Sequence, residues 1–342
     1  MRKEWPHGSK SGNPNIRENR ITFVEECKVA DELKVFSGRT HPSLTQGICE
    51  YLGIPMGQAE VFQFSNENIF VRILENVRGR DVFIVQPISS PVNTSLMELL
   101  IMIDAARRAS AKRVTAVIPY YGYSRTDKKD QPRVPITARL VADLITVAGA
   151  RRVLTLDLHA GQIQGFFSIP VDELTALYML SNHFEKKGLK DLVVVATDVG
   201  ISKRARDMAA RLNAPLAIIE KRRMGNSEKT ETHQVIGDVK GQIALLFDDE
   251  IDTAGSLTSA AEALVKYGAK EVYACATHPI LSGPAVERIA KSPLKEVVVT
   301  DSVPVPPSKR IEKITVLSLA PLIGEAIHRI HADLSVGAMF HD

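Results

Sequence analysis

The chain has 342 residues, 44% hydrophobic and 24% charged, with 43 Lys plus Arg against 40 Asp plus Glu. That length allows two domains, each with its own apolar core, and that composition reads as soluble and globular. A balance of +3 gives no global pull toward nucleic acid, and three widely spaced cysteines (Cys27, Cys49, Cys275) fit a reducing compartment without disulfides or structural zinc.

Residues 1–32 are rich in Gly, Pro, Asn, Ser and charge and lack a signal-like apolar run, so they predict a weakly ordered extension. No later segment approaches the roughly 20 apolar residues of a membrane span, which points to a cytoplasmic chain with no membrane partner. From Lys34 onward, β-rich runs alternate with helical patterns. Strands are expected at 81–85, 113–119, 152–158, 192–197, 242–247, 271–277 and 296–300. Helices such as SLMELLIMIDAARRAS and SLTSAAEALVKYG lie between them. Strands that are apolar without alternation are covered on both faces, so parallel sheets flanked by helices follow. Segments 81–121 and 242–279 both run strand, loop, a Ser-Leu helix start, helix, then an AK(R/E)V strand. This reads as one α/β unit used twice.

Between these units lie three polar constellations. LDLHAGQIQGFF carries His159 beyond a buried strand, at the end where open α/β sheets bind ligands. A lone histidine there is as readily a satisfied structural group as a ligand. IIEKRR is a strand with three cations, followed by the polar run MGNSEKTETHQ. Such a run is either a solvated basic patch or a lid that closes over a phosphate. YGYSRTDKKDQPRVPI joins aromatics to basic residues, yet the near-neutral overall charge argues against single-stranded nucleic acid.

The most specific stretch is FDDEIDTAGS at 247–256. The strand is expected to end at Phe247 and the next helix to begin near Ser256. Free N–H groups and the positive dipole end at a helix start bind anions, and Thr253, Ala254, Gly255 and Ser256 are small enough for a phosphate to approach. Asp248, Asp249 and Asp252 accept hydrogen bonds when ionised and suit neighbouring sugar hydroxyls. A ligand with phosphate at one end and a diol at the other is a phosphorylated ribose. A Walker B reading fails because no GxxxxGK[ST] precedes the strand.

FDDEIDTAGS resembles the ribose-phosphate loop of the type I phosphoribosyltransferase fold. FSGRTHPSL (36–44), the segments 59–87 and 116–144, LDLHAGQIQGFF, IIEKRR and ATHPILSGPA (276–285) narrow the resemblance to the ribose-phosphate diphosphokinases. It covers residue 33 to the end and implies two tandem phosphoribosyltransferase-like α/β domains, each a mostly parallel sheet flanked by helices. The expected division is 33–178 on the ATP side and 179–321 on the ribose 5-phosphate side, with 322–342 packing back on the first domain. The implied reaction moves the β,γ-diphosphoryl group of ATP to the 1-hydroxyl of ribose 5-phosphate.

By the same resemblance Lys221 and Arg223 are the catalytic cations, and His159 with Asp198 holds Mg2+. Asn66, Glu67, Asn68, Arg125, Thr126 and His159 contact ATP, the first three from a neighbouring subunit of a hexamer. Asp248, Asp249, Asp252 and residues Thr253 to Ser256, with Arg223, hold ribose 5-phosphate. Three positions depart from the family: Thr126 stands where Gln is usual, Asn68 where Glu is usual, and Ile201 where the pyrophosphate turn has a second Gly. Two other readings stay open on sequence. A simple phosphoribosyltransferase shares the loop but gives no reason for EKRR. A silent, regulatory relative would have lost Lys221, Arg223, His159 or Asp198, all of which are present.

Overall fold

A computed structural model describes residues 32–223 and 231–340, with side chains 221–233 outside the described set. The chain runs β1 (Leu33–Ser37), α1 (Pro42–Leu52), β2 (Ala59–Gln63), β3 (Ile69–Ile73), β4 (Asp81–Val85), α2 (Val92–Arg108), β5 (Arg113–Ile118), α3 (Thr137–Ala148), β6 (Arg152–Leu156), β7 (Val171–Leu174) and α4 (Leu177–Lys187). The same order then repeats as β8 (Leu192–Ala196), α5 (Ser202–Arg211), β9 (Leu216–Arg223), β10 (Glu231–Ile236), β11 (Ile243–Ile251), α6 (Gly255–Lys266), β12 (Glu271–Pro279), α7 (Ala285–Lys291), β13 (Leu294–Thr300), β14 (Ile314–Leu317) and α8 (Ala320–His331).

Each half is one mostly parallel sheet. The first is ordered β1-β4-β5-β6-β7 and the second β10-β9-β8-β11-β12-β13-β14, with β10 antiparallel at its edge. The pair β2–β3 stands apart as a two-stranded antiparallel hairpin, whereas its counterpart β9–β10 extends the second sheet. The repeat extends to individual hydrogen bonds. Asp157 N donates to Leu174 O while its carboxylate accepts from Ala176 N; Asp301 N donates to Leu317 O while its carboxylate accepts from Leu319 N. Tyr120 and His278, equivalent in the two units, meet with ring centroids 5.1 Å apart.

Both faces of both sheets are buried, as unbroken apolar strands require. On the outer faces Val82, Ile84, Ala116 and Ile118 pack under α2 and α3, and Val195, Leu246, Ala274 and Val299 under α6 and α7. The inner faces do not form two separate cores as length alone suggested. Val35, Phe83 and Leu154 of the first sheet share one cluster with Val194, Leu245, Cys275 and Val298 of the second. Two short sheets gain more buried apolar area by sharing an inner layer than by each facing water, at about 25 cal/mol per Å².

The closing helices of the two halves are exchanged across that layer. Helix α4 follows the first sheet but lies against the second half, with the Phe184 and Tyr273 rings 6.3 Å apart, Lys187 Nζ 2.9 Å from Glu296 and Arg211 donating to Ser181 Oγ at 2.8 Å. Helix α8 follows the second sheet but packs on α1, where a Cβ at Gly324 would lie 2.5 Å from the Tyr51 ring. Tyr51 donates to Glu325 at 2.9 Å, and Arg113 donates to Ile330 O at 3.0 Å. A division between 178 and 179 therefore falls inside α4. No helix among the described residues is long and apolar enough to cross a membrane. Cys49 and Cys275 are free and buried, and Cys27 lies outside the described residues.

Candidate active site

Central strand β11 lies between β8 and β12, so its C-terminal end emerges where ligands bind in open α/β sheets. It does not stop at Phe247 as expected but runs to Ile251, carrying two of the predicted acids in strand conformation. Pairing with β12 explains this: Asp248 is in register with Ala276 and Glu250 with His278, so the ladder holds residues whose own preference is for turns. The acids, the α6 start, Asp198, His159 and Arg125 line one cleft of about 210 Å³.

Within it, Thr197 Oγ1 donates to Asp248 Oδ2 at 2.7 Å, and the Asp249 and Glu250 amides donate to the preceding carboxylates at 2.9 Å. Asp249 Oδ2 is 2.6 Å from His159 Nδ1, a contact from the second half to the first. Burial and the neighbouring Asp249 charge push the Asp248 carboxyl up to about 8. Burial is the largest single influence on Asp249 and acts the same way, but the hydrogen bonds from His159 and Asp248 and the nearby histidine charges together outweigh it and bring that group down to about 2. His159 is raised in turn, chiefly by its bond to Asp249 and against its own burial. The pair is thus a site where an extra positive charge or donor is favoured.

Beyond the strand, the chain turns through Asp252 and Thr253 into α6. Ala254 sits at φ 58°, a left-handed conformation that costs a non-glycine residue on the order of 1 kcal/mol, and as the N-cap residue it has no side-chain acceptor to offer the helix. Arg288 Nη1 braces the turn by donating to Thr253 O at 3.0 Å. A Cβ on Gly255 would come within 3.2 Å of the same Nη1. A strained turn at a helix start is a cradle for an anion.

The other expected residues divide into three groups. Asp198 lies on the cleft just past the β8 tip, with Oδ1 accepting from Ile201 N at 3.0 Å. Ile201 itself has φ −84°, so the turn needs no left-handed residue there and accommodates the β-branched side chain. Arg125 also lines the cleft, while the Thr126 hydroxyl turns back to Tyr123 O at 2.7 Å. Asn66, Glu67 and Asn68 form the tip of the β2–β3 hairpin, where Asn66 Oδ1 accepts from Asn68 N at 3.2 Å. They are not among the residues lining the cleft. Lys221 and Arg223 lie on β9, three and five residues past Ile218, which pairs with the last residue of β8. Their side chains, and residues 224–230 of the proposed lid, lie outside the described residues. Among the described residues no three His, Cys, Asp or Glu side chains cluster closely enough to hold an ion by themselves.

Several site residues escaped sequence reasoning. Glu250, the third acid of the run, has a side chain 7% exposed and takes Arg125 Nη1 at 3.2 Å. Tyr120 donates to its other oxygen at 3.3 Å. Arg204 of α5 donates to Leu158 O at 2.7 Å and to Glu173 at 3.3 Å, tying the turn after Asp198 to the segment that carries His159. Beneath these, His278 contacts Asp157 O at 3.1 Å and Ser302 Oγ at 2.9 Å, and burial lowers its pKa. The acid run itself was the one available signal for Glu250; nothing in the sequence pairs Arg204 with Leu158.

Known proteins share this arrangement. Residues 33–149 match the family described as the N-terminal domain of ribose phosphate pyrophosphokinase. Residues 224–341 match the phosphoribosyl synthetase-associated domain. The chain is 56% identical over 315 residues to a ribose-phosphate pyrophosphokinase of Caldanaerobacter subterraneus subsp. tengcongensis, covering 92% of this chain and 99% of that one. It is 55% identical over 309 residues to one from Corynebacterium ammoniagenes, covering 90% and 97%. The crystal structure of phosphoribosylpyrophosphate synthetase from Mycobacterium smegmatis aligns with a TM-score of 0.84 at 43% identity, covering 88% of this chain and 99% of that chain.

Proposed function

The chain belongs to the ribose-phosphate pyrophosphokinase family, and we propose from that premise which of its residues perform each part of the reaction. It transfers the β,γ-diphosphoryl group of ATP to the 1-hydroxyl of ribose 5-phosphate, giving phosphoribosyl diphosphate and AMP. The observation that carries the assignment of parts is the β11 tip, where two adjacent acids adjoin a strained helix start. Asp248, Asp249 and Asp252 accept the ribose hydroxyls, and the backbone from Thr253 to Ser256 holds the 5-phosphate. Arg223 adds positive charge to the sugar side. Such a grip fixes the 1-hydroxyl in line with the β-phosphorus, and fixed in-line geometry is a large part of the acceleration.

Residues 33–178 present the nucleotide side and 179–321 the sugar side, with α8 packed on α1 of the first. His159 and Arg125 reach the cleft from the nucleotide side. Lys221 and Arg223 supply charge to the transferring group and the departing AMP oxygen, the role in which a positioned cation contributes most. The donor set fits Mg2+: Asp249 engages His159 Nδ1, which leaves Nε2 as the nitrogen that would bind an ion, and Asp198 on the same cleft would add one carboxylate. Two protein ligands with phosphate oxygens and water suit that ion, which when bound neutralises phosphate charge. Asn66, Glu67 and Asn68 stand on a hairpin away from the cleft, with Phe64 48% exposed beside them. They contact the nucleotide of a neighbouring copy in a homohexamer, whereas Thr126 contacts ATP beside Arg125. The reaction runs in the cytoplasm, where Cys49 and Cys275 stay reduced.

The test is AMP release from ATP with Mg2+. Release that requires ribose 5-phosphate is the expected result; release without the sugar, or none, contradicts the reading.

A further inference from the structure

Two residues of the first half meet Glu250 at the β11 tip, and they differ in how firmly they are held. Tyr120 donates to Oε2 at 3.3 Å and packs its ring 5.1 Å from His278, so this side is buried and fixed. Arg125 has a side chain 59% exposed and projects from a turn, with Nη1 3.2 Å from Glu250 Oε1 and 3.4 Å from Asp252 Oδ2. The two acids that share this guanidinium are unlike. Glu250 is 7% exposed and anchored by the strand ladder, whereas Asp252 is 40% exposed on the loop.

We infer that Glu250 is a positioning residue for Arg125: it holds the guanidinium over the cleft before the nucleotide arrives, while the second contact to Asp252 yields to the sugar. This rests on the reading above, in which Arg125 meets ATP and Asp252 meets ribose hydroxyls. The physical reason is pre-organisation. A long, exposed arginine loses rotamer freedom when a phosphate fixes it, and a carboxylate that has already fixed it removes that loss from the binding step. Glu250 suits the task because its own position is set by Tyr120 and by pairing with β12, independently of any ligand. Asp252 suits the opposite task. Hydroxyls bound there compete for the carboxylate that Arg125 contacts, so occupancy of the sugar site frees one face of the guanidinium for the nucleotide. The result is coupling between two substrate sites through one side chain.

The experiment uses the full chain as wild type, Glu250→Gln, Arg125→Ala and the double variant, with AMP release measured while ATP and ribose 5-phosphate are varied separately. Glu250→Gln is expected to raise KM for ATP roughly three- to tenfold, the size of one partly exposed charge-assisted contact. KM for ribose 5-phosphate and kcat should change less, and the double variant should match Arg125→Ala alone. Glu250→Asp keeps the charge one methylene short and should fall between wild type and Glu250→Gln, which separates positioning from folding. An unchanged KM for ATP, or effects that multiply in the double variant, overturns the inference. If wild type releases no AMP with the sugar, the assigned reaction has failed instead. Equilibrium ATP binding by the same proteins then decides the role of Glu250 by the same roughly three- to tenfold criterion.

Discussion

The tips of β4 and β11 occupy equivalent places in the two halves, yet one is closed by its own side chains and the other is open to a ligand. At the β4 tip Gln86 is fully buried, accepts from Thr40 N at 3.2 Å and donates to Glu98 at 3.0 Å and to Ser95 O at 3.3 Å. Arg39 completes the set, its backbone N and its Nε donating to the two Glu98 oxygens at 2.5 and 2.6 Å. Gly38 leaves room for this plug, since a Cβ there would lie 2.2 Å from Gln86 Oε1. At the β11 tip the corresponding position is Asp248, beside Asp249, and the following helix is entered through the left-handed Ala254, φ 58°, where the helix after β4 is entered through Pro91 at φ −75°. A satisfied polar network stabilises, while an adjacent acid pair leaves interactions for a ligand to complete. On the function proposed above, the duplicated scaffold keeps one working tip and turns the other into structure.

The comparison breaks most visibly at the cations of β9, which its counterpart β2 lacks. Lys221→Ala should lower the rate of AMP release by about 10³-fold or more, with the protein still folded by circular dichroism. Equal rates remove Lys221 from the chemistry. Next is the contact that joins the halves: Asp249→Asn weakens the hold on His159, and about a 10–100-fold loss of activity is expected with a higher Mg2+ requirement. An unaltered Mg2+ titration contradicts the role given to His159.

Stability should respond in the opposite sense at the two tips. Glu98→Ala removes the acceptor of Arg39 and Gln86 and should cost about 2–4 kcal/mol in urea unfolding, with KM for both substrates near wild type. Asp248→Asn should instead stabilise the ligand-free protein at alkaline pH. The folded pKa of Asp248 is raised from 3.8 to about 8, so its contribution is fully present below pH 3.8 and is lost as pH rises through 8. Wild-type stability should therefore decline between these limits by on the order of 1 kcal/mol per pH unit, and Asp248→Asn should flatten that slope. A slope shared by both proteins assigns the titration to another group.

Much of this was legible in the sequence because the signals are local. Unbroken apolar strands announced two-sided burial, and the repeated AK(R/E)V strand announced the duplication. The small-residue turn after the acids announced a helix start, which falls at Gly255. Short or polar strands such as β2, β7, β10 and β14 were not visible, since edge strands carry little apolar pattern. The run of β11 through its acids was hidden too, because the partner strand rather than the residues' own preference keeps it extended. Helical periodicity shows which face of α4 or α8 is apolar but not which sheet it covers, so the exchange of these helices emerges only in three dimensions. Glu250 was in plain view as an acid, yet its partners lie 125 and 130 residues away in the chain at Arg125 and Tyr120.

The central claim is that the second tip alone is a pentose-phosphate site, and a crystal of the protein soaked with ribose 5-phosphate tests it most directly. One sugar per chain should appear, its phosphate on the amides between Thr253 and Ser256 and its ring hydroxyls on Asp248, Asp249 and Asp252. Density at the Gln86 tip instead, or a sugar bound with its phosphate away from α6, would contradict it.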